Sequence, residues 1–137
     1  TCETALGQRS HMEVFGTDYP TADGTCVRDY IHVKDLARAH MSALAHLKAG
    51  GKSDVFNCGY GKGYSVLQVI EAVKRTSNRE FAVKVSPRRP GDPAAVVAAP
   101  AKIMRELGWQ PEHADLDQIV TQAMAWERRL AEIKKAS

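Results

Sequence analysis

The chain has 137 residues, enough for one modest domain or a piece of a larger one. Its 44% hydrophobic and 26% charged content is ordinary for a globular fold, and no apolar run approaches the roughly 20 residues of a membrane-spanning helix. The formal charge of +3, from 19 basic and 16 acidic residues, is too small and too mixed to point to nucleic acid. Cys2, Cys26 and Cys58 stand far apart, so neither a disulfide framework nor a zinc knuckle is expected, and a reducing cytoplasm is the default. The five histidines form no helical i, i+4 ligand pair, which argues against a metal site. The sequence opens Thr1-Cys2-Glu3 without an initiator Met or a signal-peptide pattern, so it reads as cut from something longer.

In chain order, the first expected element is a strand over Glu13 to Phe15. Turn signals at Asp18, Pro20, Asp23 and Gly24 precede a β-rich segment ending near Val33, interrupted by Arg28. Asp35 is expected to cap a helix with Leu36, Ala39, Ala43, Leu44 and Leu47 on one face, closed by Gly50-Gly51. A strand is predicted over Asp54 to Cys58. Ser65-x-x-Gln68 reads as a capping box before Val66, Val69, Ile70 and Val73 at helical spacing. Strands follow over Phe81, Val83 and Val85 and over Ala95 to Ala98, then a short helix between Pro100 and Gly108. The last helix, from about Leu116, places Ile119, Val120, Ala123, Leu130 and Ile133 on an apolar stripe, with Trp109 and Trp126 as core anchors. Alternating helices and strands give an α/β or mixed α+β architecture.

The stretch "FNCGYGKGYSVLQVI", Phe56 to Ile70, imitates a nucleotide phosphate loop but misses its spacing. Counting from Gly59, the third glycine falls one position early at Gly63. Counting from Gly61, the required place holds Val66. Glu80 lies before its apolar run, whereas a ribose ligand should follow the second strand. "GGKS", Gly50 to Ser53, lacks the leading glycine of a P-loop, since position 46 is His46. The glycines are therefore read as a turn.

Two loops carry the chemistry: "FGTDYPTADGTCVRDYIHV", Phe15 to Val33, and "SPRRPGDPAA", Ser86 to Ala95. A guanidinium is a planar fork of donors that matches phosphate oxygens bidentately and keeps its charge at any working pH. Arginines held by stiff turns suit a diphosphate. They also suit ordinary surface ion pairs with Asp29 or Asp92, which are common and weak.

As a string, "VFGTDYPTADGTCVRDYIHVKDLARAH" with "FNCGYGKGYSVLQVI", "RRPGDPAAVVA", "ELGWQP" and a late "AWE" resembles the C-terminal half of the UDP-glucose 4-epimerases. These belong to the extended short-chain dehydrogenase/reductase family, and the resemblance runs from Leu6 to Trp126. It implies a Rossmann-type α/β enzyme in which bound NAD takes a hydride from C4 of a UDP-hexose. The 4-keto sugar then turns and the hydride returns to its other face, interconverting UDP-glucose and UDP-galactose. The implied setting is galactose metabolism in the cytoplasm, by a homodimer, with neither nucleic acid nor membrane as partner.

Carried over by position, the uridine contacts fall on Glu13, Val14 and Phe15, the diphosphate arginines on Arg28 and Arg89, and a ribose-accepting carboxylate on Asp92. Arg88 is left as a supporting or loop residue. Where some members have a tyrosine shortly after that aspartate, this chain has Val96, so one ligand hydrogen bond is expected to be missing. The NAD-binding glycine loop and the catalytic Tyr-x-x-x-Lys pair belong to an N-terminal domain outside this sequence. Tyr30 and Lys34 fit the bare spacing, but Tyr30 lies in an extended block where four residues are not one helical turn. No catalytic and no cofactor-binding residue is therefore assigned here, and residues 34–58 are expected to return to the cofactor domain. Dehydratases, decarboxylases and epimerases of uronic acids or N-acetyl sugars share the family. A non-catalytic nucleotide-sugar-binding module is the alternative of another class, and RNA binding through Arg88-Arg89 lacks a basic stripe interleaved with aromatics.

Overall fold

The computed structural model describes residues 1–136, with side chains as far as Lys135. A short helix, α1 (Cys2–Ala5), leads into strand β1 (Met12–Phe15) and, after a turn-rich loop, β2 (Val27–Arg28). Helix α2 (Val33–Lys48) follows, then an irregular stretch to β3 (Tyr64–Ser65), which runs directly into α3 (Val66–Ser77). Strand β4 (Val83–Ser86), β5 (Ala95–Val96), α4 (Ala101–Leu107) and α5 (Leu116–Ala136) complete the described chain.

The strands form two small sheets. In one, β1 and β4 run parallel, with Glu13 opposite Lys84 and Phe15 opposite Ser86. In the other, β2 lies between β3, antiparallel, and β5, parallel, so that Arg28 stands opposite Tyr64 on one side and Val96 on the other. Since β4 leaves the first sheet at Ser86 and β5 enters the second at Ala95, residues 87–94 join the two sheets at the ends of β1 and β2.

The helix termini follow their sequence signals. Ser65 and Gln68 form both bonds of the capping box, and Asn78 ends α3 in the left-handed conformation. Gly108 does the same for α4, with Pro100 at its start. At the end of α2 the Gly50 amide reaches the Leu47 carbonyl and the Gly51 amide the His46 carbonyl, a Schellman closure allowed by Gly50 at φ +82°. The cap at the start of α2 differs from expectation. His32 Nδ1 accepts from the Lys34 amide, and Asp35 lies inside the first turn, fully buried. Asp35 is displaced inward because it has stronger work there, accepting bonds from a distant loop.

One core joins α1, α3 and α5 through Ala5, Ala72, Val73, Leu116, Val120 and Met124. The second joins α2 and α4 through Ala39, Ile103 and Trp109. The α5 stripe is therefore Leu116, Val120 and Met124 at i, i+4, i+8, whereas Ala123 and Ile133 face outward. Trp126 is 58% exposed, which corrects its reading as a core anchor; Trp109 is buried and donates its indole N–H to the Asp35 carbonyl at 3.0 Å. On α2, Leu36, Leu44 and Leu47 remain exposed beside Val33 and Met41. The predicted strand over Asp54 to Cys58 is irregular, because a strand needs a ladder partner and among the described residues no neighbouring strand reaches it. Val55 is 80% exposed there and its carbonyl accepts from Lys102 Nζ at 3.0 Å. The last short strand is confined to Ala95–Val96.

Candidate functional site

At the ends of β1 and β2 the 87–94 connection brings together residues far apart in sequence. The Asp92 carboxylate accepts from Arg89 Nε at 3.0 Å and lies 3.8 Å from an Arg28 terminal nitrogen. Arg89 in turn covers the Phe15 ring, its guanidinium carbon 4.6 Å from the centroid. Arg28 is fastened by its other terminal nitrogen, which donates to the Val27 and Pro93 carbonyls at 2.8 and 2.9 Å. Two permanent cations and one carboxylate thus share a partly exposed patch with net positive charge, beside an aromatic face. Arg28, Arg89, Asp92 and Phe15 converge. Val14 is instead buried as a core residue, and Glu13 accepts from the Ser86 hydroxyl at 2.9 Å on the flank of β1.

Beside β1 lies an open cavity of about 510 Å³ lined by Thr4, Arg9, His11, Met12, Glu13 and Phe15. Among the described residues β1 pairs on one side alone, with β4, so its other edge carries strand amides and carbonyls free for a ligand. Val96, on β5, is about half exposed and lines a second hollow of about 390 Å³ with Arg28 and Asp29.

Asp29, the residue after Arg28, explains the glycine turn. Its carboxylate accepts from the Tyr60, Gly61 and Ala98 amides at 3.0, 2.9 and 3.3 Å. A Cβ on Gly59 would come within 2.7 Å of that carboxylate and 2.5 Å of the Ala98 Cβ, which is why glycine stands there. The turn's amides are directed at a protein carboxylate and not at open space, so these residues do not fit the pyrophosphate of a dinucleotide. Tyr30 and Lys34 do not share a helix, since Tyr30 precedes α2 and Lys34 is its second residue. Burial pushes the Tyr30 hydroxyl up, against a smaller opposing pull from Arg28, and a base needs the reverse shift.

Sequence reasoning missed a second buried centre. Asp35 accepts from the Tyr60 hydroxyl at 2.8 Å and from the Glu112 and His113 amides at 3.1 and 2.9 Å. Burial raises its carboxyl, but these donors outweigh burial and hold it below the usual carboxylate range. Burial pushes the Tyr60 hydroxyl up to about 12, with the His32 amide opposing and Asp35 reinforcing. Asp35, Glu112 and His113 bring potential metal ligands within 4.8 Å of one another. The Asp35 oxygens are already taken by protein donors and Glu112 pairs with Arg38 at 2.6 Å, so the group serves as a hydrogen-bond hub. An acidic residue in the first turn of a helix was the only sequence signal for it.

Comparison with known proteins bears on the whole chain. Residues 3–59 match the model of the NAD dependent epimerase/dehydratase family. The UDP-glucose 4-epimerase of Azospirillum brasilense is 50% identical over 129 residues, which is 94% of this chain and 37% of that protein. A UDP-glucose 4-epimerase from Stenotrophomonas maltophila, solved with bound NAD and formylated UDP-arabinopyranose, superposes with a TM-score of 0.90 at 41% identity, covering 96% of this chain and 39% of its own. The enzyme of that name from Bifidobacterium longum, solved with NAD+ and UDP, gives 0.84 at 39% identity, covering 93% and 38%. The chain thus spans under half the length of the relatives it matches. Over nearly its whole length the chain is similar to the C-terminal part of UDP-glucose 4-epimerases, and its residues 3–59 carry the match to the NAD dependent epimerase/dehydratase family.

Proposed function

We propose that this chain is the UDP-sugar-binding part of an NAD-dependent epimerase that interconverts UDP-glucose and UDP-galactose at C4. The observation that carries the reading is Asp92 set between Arg28 and Arg89 at the ends of β1 and β2, with Phe15 under Arg89. Two forks beside a single carboxylate suit a diphosphate, which would draw the guanidinium groups and leave Asp92 to accept from a ribose hydroxyl. The unpaired edge of β1 and the adjacent cavity suit the uracil, whose amide edge can pair with backbone in the manner of a strand. The Val96 side chain carries no hydrogen-bonding atom with which to replace the tyrosine contact of some relatives. The names of the Stenotrophomonas and Bifidobacterium complexes, one with a UDP-pentose and one with UDP, support the same ligand class.

NAD and the groups that act at C4 belong, in this reading, to the part of the full-length protein outside this sequence. Residues 34–58 dock on that part, since α2 leaves Leu36, Leu44 and Leu47 exposed and, among the described residues, 54–58 have no strand partner. Three free cysteines suit a reducing cytoplasm. Among the described residues no helix is long and apolar enough to cross a membrane. Homodimer formation and a place in galactose metabolism rest on the family resemblance.

The test is a coupled assay for conversion of UDP-galactose to UDP-glucose. Turnover is expected from the full-length protein and none from the 137-residue chain, even with added NAD. A full-length protein that binds UDP but leaves UDP-galactose unchanged would favour the non-catalytic nucleotide-sugar-binding module instead.

A further inference from the structure

The arginine next to Arg89 has a different environment. Arg88 Nε donates to the Asp18 carboxylate at 2.6 Å, one of its terminal nitrogens donates to the Asp18 carbonyl, and its guanidinium carbon stands 4.1 Å from the centre of the Tyr19 ring. Tyr19 is 6% exposed, with its hydroxyl beside Cys26 and its ring face under Arg88. Its backbone is fixed as well: the Tyr19 amide donates to the Gly24 carbonyl at 2.9 Å. Room for the contact comes from Gly16. A Cβ there would stand 2.6 Å from Arg88 Cγ and 2.7 Å from Tyr19 Cε2, and its φ of +82° favours glycine independently.

The connection carrying Arg89 and Asp92 is held at its far end, where Arg28 donates to the Pro93 carbonyl at 2.9 Å and the Val27 amide donates to the Ala94 carbonyl at 2.8 Å, and its nearer half has fewer fastenings. Pro87, Pro90 and Pro93 stiffen it but supply no amide donors. Its internal backbone bond, from the Asp92 amide to the Arg89 carbonyl, is long at 3.3 Å. The side chains of Arg88 and Arg89 point it in place, one on Tyr19 and Asp18, the other on Phe15 and Asp92.

We propose that Arg88 is a positioning residue for the diphosphate. By clamping residues 87–92 onto Asp18 and the Tyr19 ring, it sets Arg89 and Asp92 where they can meet the ligand without touching a phosphate itself. This rests on the UDP reading above and extends it to a residue outside the expected contact set.

The test is calorimetric titration of the full-length protein with UDP and, separately, with uridine, which lacks the phosphates. Arg88→Met should weaken UDP binding about tenfold, for loss of a charge-assisted bond and a ring contact together, and weaken uridine binding clearly less, since uridine keeps the ribose that Asp92 meets but lacks the phosphates that Arg89 meets. Arg88→Lys, which keeps a cation over the ring, should recover part of the loss, and Asp18→Asn should show the same ligand pattern more weakly. Because Arg88 acts through its neighbours, the salt dependence of UDP binding should keep its slope in Arg88→Met but flatten in Arg89→Met. Equal loss for UDP and uridine, no loss for either, or a flattened slope in Arg88→Met would overturn the positioning role. Wild-type protein that binds UDP no more tightly than uridine would overturn the diphosphate reading, and this inference with it.

Discussion

The Arg89 guanidinium lies on the Phe15 ring, 4.6 Å from its centre, although the two residues are in different halves of the chain. The contact orients a fork of donors that a lysine cannot reproduce. Arg89→Lys and Arg28→Lys should each weaken UDP binding by the full-length protein about tenfold or more, as loss of about 1.5 to 3 kcal/mol implies. Unchanged calorimetric affinity in both variants would remove these arginines from the site.

Asp29 ties the strand bearing Arg28 to the glycine turn through the Tyr60, Gly61 and Ala98 amides. Asp29→Ala leaves those amides without their acceptor and should cost about 1 to 3 kcal/mol in urea unfolding. Asp29→Asn keeps one acceptor oxygen and should lose less. Equal stability of Asp29→Ala and wild type would show that water replaces the carboxylate.

The Asp35 hub gives a pH dependence with a defined sign. Hydrogen bonds from Tyr60, His113 and Glu112 overcome burial and depress the folded-state pKa, so the unfolded chain binds this proton more readily. The stabilisation is complete above the ordinary carboxylate value of about 3.9 and is lost as pH falls below it through the folded value. Tyr60 acts at the other end. Its folded value of about 12 lies above the ordinary value of about 10, so its contribution is full below the ordinary value and fades as pH rises toward the folded one. Asp35→Asn should flatten the acid limb of a stability profile, and Tyr60→Phe the alkaline limb. An acid limb unchanged by Asp35→Asn would mean that other carboxylates set it.

Leu36, Leu44, Leu47 and Val55 are exposed on one region built from α2 and the segment after it. The isolated chain should therefore associate or bind a hydrophobic dye, and the amides of residues 55–58 should exchange quickly compared with those of the full-length protein. Equal protection in the two would show that residues 34–58 do not dock on the cofactor-binding part.

Local signals were readable where the chemistry is local. The capping box at Ser65 and Gln68, Gly108 and the turn-forming Gly50 each fixed an end of a helix. Tertiary demands were not readable in the same way. Asp35 looked like a cap because an acid at a helix start usually is one, yet its partners come from Tyr60 and from residues 112–113, which no spacing rule connects to it. The apolar run at 54–58 has strand composition, but a ladder requires a neighbour, and that is not a property of the run itself. Ala123 and Met124 differ by one helical step of 100°, enough to exchange a buried side for an exposed one. In the site, the resemblance singled out Arg28, Arg89 and Asp92, which the fold brings together. It passed over Arg88, whose partners Asp18 and Tyr19 become neighbours only through the pairing of β1 with β4.

The most direct measurement is a crystal structure of the full-length protein with UDP. The expected result is phosphate oxygens within hydrogen-bond distance of both Arg28 and Arg89, Asp92 accepting from a ribose hydroxyl, and the uracil against the edge of β1 at Glu13 to Phe15. UDP bound elsewhere, with the Asp92 bridge to Arg28 and Arg89 intact, would contradict the proposed site.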